Sequence, residues 1–214
     1  MQCYLIRHGE ILSNVKKIYV GTSQEELTAR GKEQVRLLAG DLQERGIRIL
    51  YTSPIRRAVQ TAEILADYLG SPIIMENDLR EMALGPLEGL SYEQVIMQFP
   101  EVWEIWNHTP AEMNLEGMEP LREVQRRIIT LMEKLFISHA DETIAAVTHL
   151  AVLRCTLLWS MGRPLNDYRK IDVPNASGFL FEAKADKLER RLKLTLVEEI
   201  HPSHSSAKTS AGRS

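Results

Sequence analysis

Thr143-Ile144-Ala145-Ala146-Val147-Thr148 has an apolar centre and no alternation of polar and apolar residues. A strand with one face in water alternates; one covered on both faces does not. The run therefore reads as a central strand of a sheet with helices on both sides. Its flanks agree. From Glu119 to His139 the apolar residues Leu121, Val124, Ile128, Leu131, Met132 and Leu135 recur at helical spacing. After the strand, Leu150 to Met161 resumes helix and Gly162 closes it.

Working outward, Gln2 to Ile6 is a short strand-like run, and Thr28 to Arg45 carries Val35, Leu38, Ala39 and Leu42 as a helical stripe before Gly46. Arg48 to Tyr51 predicts a second strand. Ser53-Pro54 reads as N-cap and first residue of a helix that runs to about Tyr68, with Gly70 just beyond. Ser71 to Met75 suits a third strand, and Ser91-Tyr92-Glu93-Gln94 is a capping-box pattern. Gly178 to Ala183 and Leu192 to Val197 read as further strands, antiparallel or at an edge. Strands alternating with helices predict a three-layer α/β/α sandwich on a mostly parallel open sheet. The catalytic-type domain is expected over residues 1–200, and the polar stretch HPSHSSAKTSAGRS (201–214) as a disordered tail.

Composition narrows the function. A chain of 214 residues suits one domain with a continuous core. Its net charge of −3 speaks against a dedicated nucleic-acid binder, which would show a basic excess. Cys3 and Cys155 form no C-x-x-C pair and read as buried apolar residues rather than a disulfide framework. Met1 leads straight into strand-like residues without a basic leader, and no apolar run reaches the roughly 20 residues of a membrane span. A cytoplasmic protein that engages no membrane is the expectation. A homodimer is permitted but not required.

Chemistry-bearing residues gather where an open sheet binds ligands, outside the carboxyl ends of its strands. Arg7-His8 follows the first strand, Thr52-Ser53 with Arg56-Arg57 the second, and His149 the TIAAVT strand. Arginine offers a planar, permanently charged fork to phosphate oxygens, and Arg57 falls in a first helical turn, where anions are favoured. A neutral imidazole attacks an anionic phosphate without charge repulsion. Surrounding cations would keep it neutral. Glu81, after the third strand, is the best-placed proton donor for a leaving alcohol, with Glu88 and Glu10 behind it. Trp103, Trp106 and Trp159 read as core or lid packing, His108 and His139 as surface residues.

These residues resemble the histidine phosphatase superfamily, also called the phosphoglycerate mutase-like family, over nearly the whole ordered chain. RHGEILSN (7–14) is similar to R-H-G-E-T-x-x-N, LTARGKEQ (27–34) to L-T-x-x-G-x-x-Q, and SPIRRAVQTAE (53–63) to S-x-x-x-R-A-x-Q-T-A-E. LREMALGPLEG (79–89) and VTHLAVLR (147–154) are similar to two further motifs, in the family's order. The resemblance implies that His8 is the nucleophile, that Arg7, Arg57 and His149 hold the phosphoryl group, and that Glu81 is acid and then base. It also implies that Asn14 assists, that Gly21 and Thr22 approach the substrate phosphate, and that neither metal nor cofactor takes part. Ile11 stands where the family has threonine, and Leu150 where it has glycine.

The implied activity is hydrolysis of a small phosphate monoester. The tryptophan-containing stretch Ser91 to Asn114 is expected to cap the pocket. It is most similar to a branch holding α-ribazole, broad-specificity and metal-independent phosphoserine phosphatases. A mutase would pass the phosphoryl group to another hydroxyl through the same intermediate, but such relatives carry a longer insertion between Glu81 and the second histidine. A non-catalytic phosphate binder would not need the general acid.

Overall fold

The computed structural model describes residues 1–186 and 191–202. Its strands are β1 (Gln2–Arg7), β2 (Ile47–Thr52), β3 (Ile73–Met75), β4 (Thr143–Thr148), β5 (Gly178–Asp186) and β6 (Arg191–Ile200). The α-helices are α1 (Leu12–Val15), α2 (Ala29–Leu42), α3 (Arg56–Leu69), α4 (Tyr92–Gln98), α5 (Pro100–His108), α6 (Leu121–Ser138) and α7 (Leu150–Ser160). One sheet runs in the order β3-β2-β4-β1-β5-β6. The pairs β3–β2, β2–β4 and β4–β1 are parallel, whereas β5 and β6 are antiparallel additions at one edge.

Burial explains the pattern. Ile144, Ala145, Ala146 and Val147 have no exposed surface, because β4 lies inside the sheet and between two helical layers. Side chains of a strand alternate between faces. Cys3, Leu5, Ile144 and Ala146 pack with α6 and α7 on one side, while Tyr4, Ile6, Ala145 and Val147 pack with α2 and α3 on the other. The two alanines let both helical layers approach the middle strand. A larger residue there would overpack the core by about 1–3 kcal/mol.

The helix starts follow local chemistry, with one correction. Thr28 caps α2 by accepting from the Gly31 amide, and Ser91 and Gln94 form the capping box of α4. Ser53 and Pro54, by contrast, do not begin α3: its N-cap is Ile55. The Ser53 hydroxyl accepts from the Ile55 amide and faces His149, so a tertiary contact claims the side chain that a cap would use. His139 is also not a surface residue. It is buried at the end of α6, with Nε2 on the Tyr51 hydroxyl at 2.8 Å and Nδ1 on Glu142 at 2.6 Å. His108 is exposed, as expected. Cys3 and Cys155 are both free and buried.

No helix among the described residues is long and apolar enough to cross a membrane. Residues 203–214, most of the expected tail, lie outside the described residues.

Candidate active site

The parallel strands β1, β2 and β4 end side by side, since Arg7 pairs with Thr148 and Thr52 with Val147. Each then delivers its next residues to the same sheet edge. The peptide at His8 is held from two directions: its amide donates to Thr148 O at 3.1 Å, and its carbonyl accepts from the Ala176 amide and from Asn175 Nδ2. The Gly9 amide donates to Thr61 Oγ1 of α3. Gly9 itself is required, because a Cβ there would stand 2.6 Å from the Gly31 carbonyl oxygen. The motif glycines of two segments thus let α2 press against the turn after β1.

The hydrogen bonds around His8 define its tautomer. Nδ1 lies 2.8 Å from the Gly9 carbonyl, which can only accept, so Nδ1 carries the proton. Nε2 then accepts from Arg57 Nε at 3.2 Å. Burial is the main force holding His8 well below the ordinary imidazole range, and Arg57 and Arg7 add to it. His8 is therefore neutral near pH 7, with its Nε2 lone pair directed toward the arginine. Arg57 is almost fully buried and also donates to the carbonyls of Ser23 and Gly21. Burial lowers its pKa; Glu81 and Glu88 oppose that.

Arg7 donates from one Nη to Val173 O, and its buried Nε has no partner. Burial brings its pKa down to about 10, with Glu81 opposing. His149 is wholly buried behind His8, their ring centroids 5.2 Å apart. Its Nε2 meets Ser53 Oγ at 2.8 Å, while Nδ1 is buried and unpartnered. Desolvation, then Arg57, keeps this imidazole neutral too.

Glu81 sits at the start of α7, 7% exposed. Oε1 accepts from the amides of Met82 and Ala151, and Oε2 from that of Leu150. These amides and the arginines favour the carboxylate, but burial outweighs them and its pKa is raised. The loop carrying Glu81 is clamped from behind. Arg127, buried in α6, donates to the carbonyls of Asp78 and Arg80 and pairs with Glu119 at 2.9 Å. Thr148 Oγ1 adds a bond to Leu79 O.

A pocket of about 370 Å³ opens at this edge. Arg7, His8, Asn14, Arg57 and Glu81 all line it. His149 stands next to the wall rather than in it. Asn14 is occupied in holding the loop, its Oδ1 accepting from the Ile11 amide and from Asn175. Gly21 and Thr22 lie outside the lining, and both their amides donate to the Glu88 carboxylate. Glu88 thus supports the 21–23 loop, and Glu10 bonds Thr28 and Arg30. Neither lines the pocket. The two departures from the motif, Ile11 and Leu150, both line the pocket; Ile11 is otherwise buried, and Leu150 supplies its amide to Glu81.

The sequence places Ser53 at a strand end but assigns it no role in the site, and it does not single out Thr61 or Asn175. Ser53 and Thr61 lie inside a quoted motif, but the partners that tie them to the site, His149 and the Gly9 amide, come from other segments. Of the Ser91–Asn114 stretch, Tyr92 and Trp106 reach the pocket.

Residues 3–193 match the model of the histidine phosphatase superfamily, branch 1. Phosphoserine phosphatase 1 of Hydrogenobacter thermophilus is 29% identical over 173 residues, covering 81% of this chain and 82% of the relative. Phosphoglycerate mutase-like protein 4 of Arabidopsis thaliana is 31% identical over 163 residues, 75% of this chain and 70% of that one. Among solved structures, Bacillus stearothermophilus YhfR superposes with a TM-score of 0.86 at 25% identity, over 94% of this chain and 98% of its own.

Proposed function

The chain belongs to the histidine phosphatase superfamily and is a phosphatase, and on that premise we propose that it hydrolyses small phosphate monoesters through a phosphohistidine on His8. The observation that carries this reading is the state of His8: neutral, Nδ1–H bound to Gly9 O, its Nε2 lone pair facing Arg57 beside the pocket. That lone pair belongs to the neutral imidazole that lines the pocket, a nucleophile that needs no base to activate it.

In the first step Nε2 gives up the Arg57 Nε–H bond and attacks phosphorus as the P–O bond to the alcohol breaks, the released N–H turning to a phosphoryl oxygen. Arg57 and Arg7 take up the charge on the phosphoryl oxygens; the unpartnered Arg7 Nε is a donor available for this. His149, next to His8 at 5.2 Å, keeps an unpartnered Nδ1 that can donate once the phosphoryl group is bound, the Ser53 hydroxyl then donating to its Nε2. Glu81, whose burial favours the protonated form, gives its proton to the leaving oxygen. In the second step Glu81 takes a proton from water, which attacks phosphorus. The P–N bond breaks, inorganic phosphate leaves, and both residues return to their starting states.

The reaction requires charge, position and one proton carrier, all supplied by side chains. The test is phosphate release from a panel of monoesters by wild type and His8→Ala, with EDTA present. Release that resists EDTA and vanishes in the variant supports the reading; release retained in His8→Ala would refute it. Transfer of the phosphoryl group to an added alcohol in preference to water would favour a mutase.

A further inference from the structure

The turn that carries His8 is held by a segment far along the chain, residues 173–177, just before β5. The Arg7 amide donates to Ser177 O at 2.9 Å, and one Arg7 Nη donates to Val173 O. The His8 carbonyl accepts from the Ala176 amide at 3.1 Å, and Ser177 Oγ closes the segment on Pro174 O at 2.7 Å. Ala176 is wholly buried with φ at 55°, a left-handed conformation in which a Cβ crowds the backbone. Such strain persists only where the surroundings impose it. Here it delivers the Ala176 amide to His8 and sets the preceding side chain, Asn175, in the pocket wall.

Asn175 Nδ2 donates twice, to His8 O at 3.2 Å and to Asn14 Oδ1 at 2.9 Å. Neither amide can be turned over without losing a bond. His8 O only accepts, so Asn175 must present its nitrogen there. The Ile11 amide only donates, so Asn14 must present its oxygen to it, at 3.2 Å. The Asn14 oxygen thus serves two donors, and Nδ2 is the polar atom left over. Among the described residues no hydrogen bond uses that nitrogen, and Asn14 lines the pocket with Arg7, His8 and Arg57. An N–H donor beside two arginines suits a phosphoryl oxygen.

Resting on the phosphatase reading, we propose that Asn175 is a positioning residue for the transfer. It acts through two groups. It fixes the His8 carbonyl, one peptide before the Gly9 carbonyl that holds the imidazole, and it locks the Asn14 amide so that Nδ2 is the atom offered to the phosphoryl group.

A double-mutant cycle tests the proposal. kcat/KM for p-nitrophenyl phosphate is measured for Asn14→Ala, Asn175→Ala and the double variant. Each single substitution should lower it by about ten- to hundredfold, the worth of a hydrogen bond to a charged group. The double variant should stay within about threefold of Asn175→Ala, because the Asn14 donor is already misdirected there. A residue that merely supported the fold would act independently of Asn14. Asn175→Leu, close to asparagine in shape but without its donor, is read alongside, so a misfolded alanine variant leaves the test standing. Losses that multiply in the double variant, or folded Asn175 variants with wild-type kcat/KM, would overturn the proposal. Inorganic phosphate is also titrated calorimetrically into His8→Ala, which keeps the backbone carbonyl at position 8. Adding Asn175→Leu should weaken binding by about tenfold, as adding Asn14→Ala should; unchanged binding would overturn the positioning role. If wild type turned over no ester but this loss of phosphate affinity persisted, the positioning role would stand and the phosphatase reading would fall.

Discussion

Arg57 Nε donates to His8 Nε2 at 3.2 Å, and the guanidinium that makes this contact is also anchored to the carbonyls of Gly21 and Ser23. One buried cation therefore has three tasks: it fixes the imidazole ring, suppresses its protonation and ties down the neighbouring loop. A lysine could not do all three, since its single nitrogen lacks the planar fork. Arg57→Lys is expected to cut kcat/KM by at least about a hundredfold, the range seen when a preorganised charge donor is removed. A folded Arg57→Lys protein with near-wild-type kcat/KM would show that these contacts are incidental.

Glu81 gives a leaving-group signature. In Glu81→Gln the proton donor is lost, so esters of ordinary alcohols should slow by about 10²–10⁴. Esters of p-nitrophenol, which leaves as a stable anion, should slow far less. Because burial raises the Glu81 pKa, wild-type activity should decline as pH rises through that raised value, and Glu81→Gln should lose this alkaline limb. Identical pH profiles for the two proteins would assign the proton to another group.

Stability should fall on acidification. His8 and His149 have folded pKa values well below the imidazole value of about 6.5 expected in the unfolded chain. As pH drops below about 6.5 the unfolded chain takes up two protons that the folded chain refuses. The slope approaches about 2.7 kcal/mol per pH unit for the pair. Glu81 acts in the opposite sense, because its raised folded pKa favours the folded form as pH falls through it. Urea midpoints between about pH 7 and pH 5.5 should therefore decrease, and His149→Asn should flatten the trend. Midpoints independent of pH would contradict neutral burial of these rings.

Arg127 is a positioning residue. It spans Glu119 and the carbonyls of Asp78 and Arg80, immediately before Glu81. Arg127→Met leaves the largely buried Glu119 carboxylate with Arg80 alone, at 3.7 Å, and should cost about 3 kcal/mol of stability. It should also lower kcat on poor leaving groups more than on p-nitrophenyl phosphate, because the displaced segment carries the acid. Equal losses on both substrates would indicate a structural role only.

The fold was largely readable because its central strand is covered on both faces and shows no alternation. The strand-end placement of Arg7, His8, Arg57 and His149 followed from that, and Glu81 from its loop after β3. Contacts made between segments were not readable. Ser53 has the sequence of a helix cap but turns toward His149. His139 lies in a polar stretch, yet Tyr51 and Glu142 from separate elements enclose it. Gly21 and Thr22 were expected to approach the phosphate, whereas their amides are engaged by Glu88 from a distant loop.

The most direct test of the account is to trap the covalent intermediate. Enzyme mixed with an ester radiolabelled in its phosphate is quenched under denaturing, alkaline conditions, digested, and the labelled peptide sequenced. The account predicts a labelled histidine in the peptide containing His8, formed and lost fast enough to support turnover. Label on His149, or steady turnover with no labelled histidine at all, would contradict it.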